Sequence, residues 1–161
     1  MVAGLAIAAV VAALDQATKW WILTRVMDPP RTIEVTPFFN LVMAWNRGVS
    51  FGLFDGDSPY NAWVLTALAV AIVIALLAWL ARAQGPAILA GIGLVVGGAV
   101  GNVIDRLRFG AVADFLDFHA AGLHWPAFNL ADSAITLGAV LLVLDSLFGG
   151  PESPKKGDTA T

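Results

Sequence analysis

The 161 residues are enough for one domain, and 58% hydrophobic content with only 13% charged residues excludes an ordinary water-soluble globule. The chain reads as an integral membrane protein. A formal net charge of -3 without a basic stripe excludes a nucleic-acid partner, and the absence of cysteine excludes a thiol nucleophile, disulfides and thiolate-bound metal.

Four apolar stretches, at about 2–25, 60–81, 86–104 and 126–148, each approach the roughly 20 residues that a helix needs to cross a bilayer. The expected fold is an all-α membrane bundle of four transmembrane helices with a small extracytoplasmic β-sheet between helices 1 and 2. Residues 1–150 form a single membrane-embedded domain in this reading, and the tail 151–161, PESPKKGDTAT, has the composition of a disordered terminus.

The first stretch lacks the Lys/Arg-rich start of a secretory signal and continues past Asp15, Gln16 and Lys19 into Trp20 and Trp21, so it reads as a retained helix with interfacial aromatic anchors. Asp15 and Lys19 are four apart and share a helix face, where a self-neutralising pair lowers the cost of burying either charge. They are taken as support for a site elsewhere.

Residues 26–59 are too long for a bare connection, and TIEV, FFNLVMAW and VSFGLF are rich in β-branched and aromatic side chains. A small sheet on the outer membrane surface would use them. Asn46 and Arg47 would offer polar contacts to a peptide backbone; Asn46-Arg47-Gly48 also reads as a plain turn. Asp55 and Asp57 read as solvated surface charges, and Ser58 as the cap of the second helix, which carries no ionisable side chain from Tyr60 to Ala81.

In the third helix Gly93, Gly97 and Gly101 recur every fourth residue, a spacing that lets another helix approach closely within lipid. Asn102, Asp105 and Arg106 follow at once and would face the bundle interior, with Asp105 expected to pair with Arg106 or Arg108.

Between there and the last helix runs DRLRFGAVADFLDFHAAGLHWPAFNLAD, residues 105–132, an amphiphilic loop with acidic flanks. Asp114 and Asp132 are the candidate catalytic pair. Carboxylates brought together at a membrane edge cannot both ionise cheaply, so one holds a proton while the other stays charged, the arrangement that activates water against an amide. Asp117 is the rival within that reading, lying one turn from Asp114 if the segment is helical. His119 and His124 read as interfacial side chains with ordinary hydrogen bonds, since no HExxH or Gly-x-Ser-x-Gly motif accompanies them. Pro126 suits the first turn of the last helix, on which Asn129 and Asp132 share a face.

DQATK at 15–19, NRGVSFGLF at 46–54, GNVIDR at 101–106, VADFLDF at 112–118 and FNLADSAI at 128–135 resemble the ordered motif set of the bacterial lipoprotein signal peptidases, also called signal peptidase II. The resemblance spans nearly the whole chain. It implies an aspartic endopeptidase that removes the signal peptide from diacylglyceryl-modified prolipoproteins, cutting on the N-terminal side of the lipidated cysteine. It places the catalytic aspartates on Asp114 and Asp132, substrate-contacting or supporting residues on Asn46, Asn102, Arg106 and Asn129, and fold support on Asp15 and Lys19. No metal or organic cofactor is implied. The expected partners are the prolipoprotein and membrane lipids, and the expected state is a monomer. The family's second motif is often Asn-x-Gly-Ala-Ala-Phe; Val49 and Ser50 depart from it.

The resemblance further implies a multi-pass protein of the bacterial cytoplasmic (inner) membrane with its site at the extracytoplasmic face, and both termini are placed in the cytoplasm because the two long loops read as folded functional surface. Positive charge gives that orientation no help, because Arg82, Lys155 and Lys156 fall with the termini and Arg31, Arg47, Arg106 and Arg108 opposite. The alternative from another class is a small proton- or ion-coupled transporter with a path through Asp15, Asp105 and Asp132.

Overall fold

A computed structural model of the chain describes residues 1–48 and 60–148. Its elements are α1 (Val2–Trp21), β1 (Ile33–Thr36), β2 (Phe39–Asn46), α2 (Tyr60–Leu80), α3 (Pro86–Phe109), β3 (Val112–Ala120), β4 (Leu123–His124) and α4 (Leu130–Phe148), with a π-helical turn, Ile22–Val26, prolonging α1. Among the described residues four helices are long and apolar enough to cross a membrane. Their outward side chains, such as Leu14, Trp63, Ile74 and Leu147, are large, apolar and exposed, as a lipid-facing surface requires.

The third helix is the centre of the bundle and packs against each of the other three. Its glycines make that possible. A Cβ on Gly93 would lie 2.6 Å from the Gly4 carbonyl and one on Gly97 2.6 Å from the Ala8 carbonyl, so α1 lies directly on this face. Gly98 meets the Ala131 carbonyl of α4 in the same way, and Gly91 and Gly138 approach each other's backbones. Pro86 follows Gly85 at the N-terminus, and Gly110, at φ 70°, closes the far end with its N–H on the Arg106 carbonyl. That helix runs five residues beyond the expected end at 104, because Arg106 and Arg108 fall in its last turn, where the helix dipole favours cations.

The sheet is larger than the loop 26–59 alone would build. Its order is β1-β2-β3-β4, all antiparallel, so the segment between α3 and α4 supplies half of its strands. The pairing of β2 with β3 runs from Phe39↔Phe118 and Asn40↔Asp117 to Asn46↔Val112, with one extra residue in β2 between Leu41 and Ala44. Side chains alternate along a strand, so this bulge transfers Asn46, rather than Trp45, to the face that carries Asp114.

The last helix starts at Leu130, four residues later than Pro126 suggested. Residues 125–128 instead lie along β3, where Phe128 N–H donates to the Leu116 carbonyl and Leu116 N–H to the Phe128 carbonyl. The expectations for Val49, Ser50, Asp55, Asp57, Ser58 and the tail fall outside the described residues.

Candidate active site

Asn129 precedes α4 and caps it. Its Oδ1 accepts from the Asp132 backbone N–H at 3.0 Å, while Asp132 Oδ2 accepts from the Asn129 N–H at 3.1 Å. This reciprocal pair is a capping box with Asn and Asp in its two positions, and it fixes the Asp132 carboxylate at the mouth of the helix. The other oxygen, Oδ1, accepts from Asn102 Nδ2 at 2.8 Å, reaching across from α3.

Asp114 is supplied by β3 and is only 2% exposed. Asn129 Nδ2 donates to its Oδ1 at 2.7 Å, and Asn46 Nδ2 donates to its Oδ2 at 3.1 Å, the diagonal contact that the β2 bulge creates. Asn129 Nδ2 also lies 3.2 Å from Asn102 Oδ1, and the Asn129 side chain is wholly buried. One amide therefore stands between the two carboxylates and is bonded to both residues.

Burial pushes the Asp114 carboxyl up to about 7, and the neighbouring Asp132 charge adds to the rise, against the opposing pull of the Asn46 and Asn129 amides. Two carboxyls in one site with unequal surroundings separate into an acid and a base. The buried one is Asp114. Asp132 is half-buried and faces open space.

That space has two parts. A cavity of about 610 Å³ is lined by Asn46, Trp125, Phe128, Asp132, Thr136 and Val140, among others, and runs from the sheet down the side of α4. A second, of about 270 Å³, lies between α2, α3 and α4, with Asn102, Arg106 and Asp132 at its polar end and Leu65, Leu68 and Ile72 along its wall. Arg106 is near enough for its charge to interact with Asp132, Asp114 and Asp105. Both spaces are apolar away from Asp132, which suits a ligand that arrives from lipid.

The residues singled out in the sequence thus converge. Asp114, Asp132, Asn46, Asn102 and Asn129 join in one hydrogen-bonded network, and Lys19 enters it through Asn102 Oδ1 at 3.0 Å. Lys19 also pairs with Asp15 at 2.9 Å, as their spacing suggested. Asp105 does not pair with Arg106 or Arg108: its Oδ2 lies 2.9 Å from Lys19 Nζ, because it points into the α1–α3 contact, while Arg106 lines the space between α2, α3 and α4 and the exposed Arg108 lies over the Phe109 ring. Gln16, to which the sequence reading gave no part, donates to Asp105 Oδ1 at 2.9 Å and to the Gly101 carbonyl at 3.2 Å. Its place beside Asp15 in a membrane helix, where an amide must find partners, was the available signal.

Asp117, the rival to Asp114, lies on a strand rather than a helix and stands apart. Its partners are Asn40 Nδ2 at 3.1 Å and His124 Nδ1 at 2.9 Å, and these hold its carboxyl below the usual carboxylate range. His119 stacks on His124 with ring centroids 4.8 Å apart, and its buried Nε2 has no hydrogen-bond partner among the described residues. Among the described residues, no three His, Asp or Glu side chains gather as a metal site.

The family model for signal peptidase (SPase) II matches residues 7–148. The chain belongs to the signal peptidase II family. It is 44% identical over 153 residues to the lipoprotein signal peptidase of Rhodopseudomonas palustris (strain TIE-1), covering 92% of this chain and 93% of that one. With the lipoprotein signal peptidase of Nitrobacter hamburgensis the identity is 48%, over 90% of this chain and 93% of the relative. Two solved bacterial membrane enzyme structures, obtained by the in meso method at 2.3 and 1.9 Å resolution, superpose with TM-scores of 0.78 and 0.77 at 31% and 32% identity. They cover 95% and 91% of this chain, and each is itself covered to 94%. Membership in the signal peptidase II family makes this protein a membrane aspartic endopeptidase, and it lends nothing to the transporter alternative.

Proposed function

We propose that this signal peptidase II removes the signal peptide from diacylglyceryl-modified prolipoproteins, cutting on the N-terminal side of the lipidated cysteine, with Asp114 and Asp132 as its catalytic pair. The observation that carries the assignment is the single buried Asn129 side chain, which is bonded to both aspartates.

Asp132, ionised and open to both cavities, takes a proton from a water held between the carboxyls as that water attacks the scissile carbonyl. Asp114, protonated, donates to the carbonyl oxygen as negative charge develops there. The carbon–nitrogen bond then breaks, and the pair delivers a proton to the leaving amine. Asn46 and Arg106, at the polar ends of the two cavities, orient the peptide. Asn102 and Asn129 hold the carboxylates, and Asp15 and Lys19 support them from below. The acyl chains enter sideways from the bilayer along the apolar walls.

The same reading places the protein in the bacterial inner membrane as a monomer, with both termini cytoplasmic and the site at the extracytoplasmic face. Four spans return the chain to its starting side, and in this reading the sheet lies at the outer end.

Purified protein in detergent, incubated with diacylglyceryl-modified prolipoprotein, is expected to release the intact signal peptide by mass spectrometry. Unmodified precursor is expected to remain uncut. Retained turnover in Asp114→Asn or Asp132→Asn would refute the catalytic assignment.

A further inference from the structure

Beneath the catalytic pair sits an ion cluster whose acids take no part in the hydrolysis. Lys19 Nζ is 2.9 Å from Asp15 Oδ2 and 2.9 Å from Asp105 Oδ2, and the three side chains are at most 3% exposed. Gln16 Nε2 joins the two acids, at 3.3 Å from Asp15 Oδ2 and 2.9 Å from Asp105 Oδ1. Taking such charges out of water is expensive, and a buried ion pair is a poor source of net stability. The helices do not need it to meet, because the glycines of α3 already bring α1 and α4 into backbone contact.

The remaining bonds of the cluster are specific. Asp15 Oδ1 accepts from the backbone N–H of Ala131 at 3.0 Å, and Asp105 Oδ2 accepts from that of Ala113 at 3.1 Å. Ala131 immediately precedes Asp132, and Ala113 immediately precedes Asp114. Each non-catalytic acid therefore grips the backbone N–H of the residue before one catalytic acid, and Lys19 ties the two grips together. Its third bond, to Asn102 Oδ1 at 3.0 Å, orients the amide that donates to Asp132.

We propose that Asp105 and Asp15, clamped by Lys19, are positioning residues that set the gap between Asp114 and Asp132: Asp105 fixes the start of β3, and Asp15 fixes the first turn of α4. This deepens the proteolytic reading and rests on it. The cluster is a spacer for the pair, and neither acid touches the substrate, since Asp105 and Asp15 line neither cavity.

The test compares Asp105→Glu and Asp105→Asn with wild type and Asp114→Asn, as full-length purified proteins cutting diacylglyceryl-modified prolipoprotein. Asp105→Glu keeps the charge that Lys19 needs but moves the acceptor away from Ala113, and Asp105→Asn keeps the size but removes the charge opposite Lys19 and turns an NH2 group either onto the Gln16 donor or onto Lys19 and Ala113. Displacing a catalytic group by about 1 Å costs on the order of 100-fold in rate, so kcat is expected to fall at least tenfold in both variants. KM is expected to stay within about threefold, because the cavity walls are untouched.

A purely structural role would appear instead as a lower melting temperature and a smaller yield, with the folded fraction recovered from size exclusion turning over at the wild-type kcat. That result, in either variant, overturns the proposal while leaving the proteolytic reading in place. Wild-type protein that leaves the prolipoprotein uncut overturns both.

Discussion

The Asn129 side chain donates to Asp114 at 2.7 Å with its nitrogen and accepts from the backbone of Asp132 at 3.0 Å with its oxygen. Helix cap and bridge to Asp114 are one group. Asn129→Ala is expected to destabilise the fold by about 1 kcal/mol through the lost cap. The rate is expected to fall far more, by about 100-fold or beyond in kcat, because the Asp114 carboxyl loses its donor and the Asp132 backbone loses the anchor that ties it to Asp114. Asn129→Ser, which can cap but cannot reach across, should restore the melting temperature without restoring turnover. Thermal melts and single-turnover cleavage check the two halves separately.

The Asp114 proton predicts the pH dependence. With the carboxyl raised from 3.8 to about 7, Asp114 serves as an acid below that pH and loses the role above it. Turnover is therefore expected to decline as pH rises through about 7. The stability effect has the same sign: the folded state keeps a proton that the unfolded chain has lost, so stability contributed by this group declines as pH rises from 3.8 toward about 7 and levels off above. A pH–rate profile of kcat and melts across the same range would show both.

Asn46 pulls against that shift, since its amide favours the ionised form of Asp114. Asn46→Ala is expected to move the alkaline limb of the profile to higher pH. An unmoved limb would mean that the β2 bulge does not aim this amide at the reacting pair.

Asp117 supplies the contrast. Asp117→Asn loses the charge opposite His124 but shares no partner with Asp114, so kcat is expected to remain within about tenfold of wild type while Asp114→Asn is inactive. Parallel cleavage assays of the two variants decide between the acids.

At Gly101 an added Cβ would fall on the Asp15 carboxylate itself. Gly101→Ala is expected to cost about 1–3 kcal/mol by overpacking and to disturb the Lys19 cluster. Chemical denaturation in detergent measures it.

Length and hydropathy were sufficient to find the four helices, since a span must be long and apolar whatever it packs against. Asp114 and Asp132 stood out as candidates for a related reason, since a carboxyl near lipid is costly unless it has partners, and the fold brings both onto Asn129. What local pattern could not carry was pairing between distant segments. Residues 112–120 alternate poorly, because most of this strand is buried on both faces, and only β2 and Phe128 make it a strand. Asp105 was assigned to its neighbouring arginines for want of any sign that Lys19, 86 positions earlier, would reach it. The start of α4 was placed at Pro126 on a rule about first turns, whereas the Asn129–Asp132 cap, present in the sequence as Asn-x-x-Asp, marked the true boundary.

Asp132 borders both the 610 Å³ cavity beside the sheet and the 270 Å³ space behind α2. The proposed catalytic base can thus be approached from two sides of one helix. A small inhibitor lodged in the rear chamber would reach the carboxylate beside Arg106, and resistance arising in Trp125 or Phe128, which line the front cavity, would leave its binding untouched.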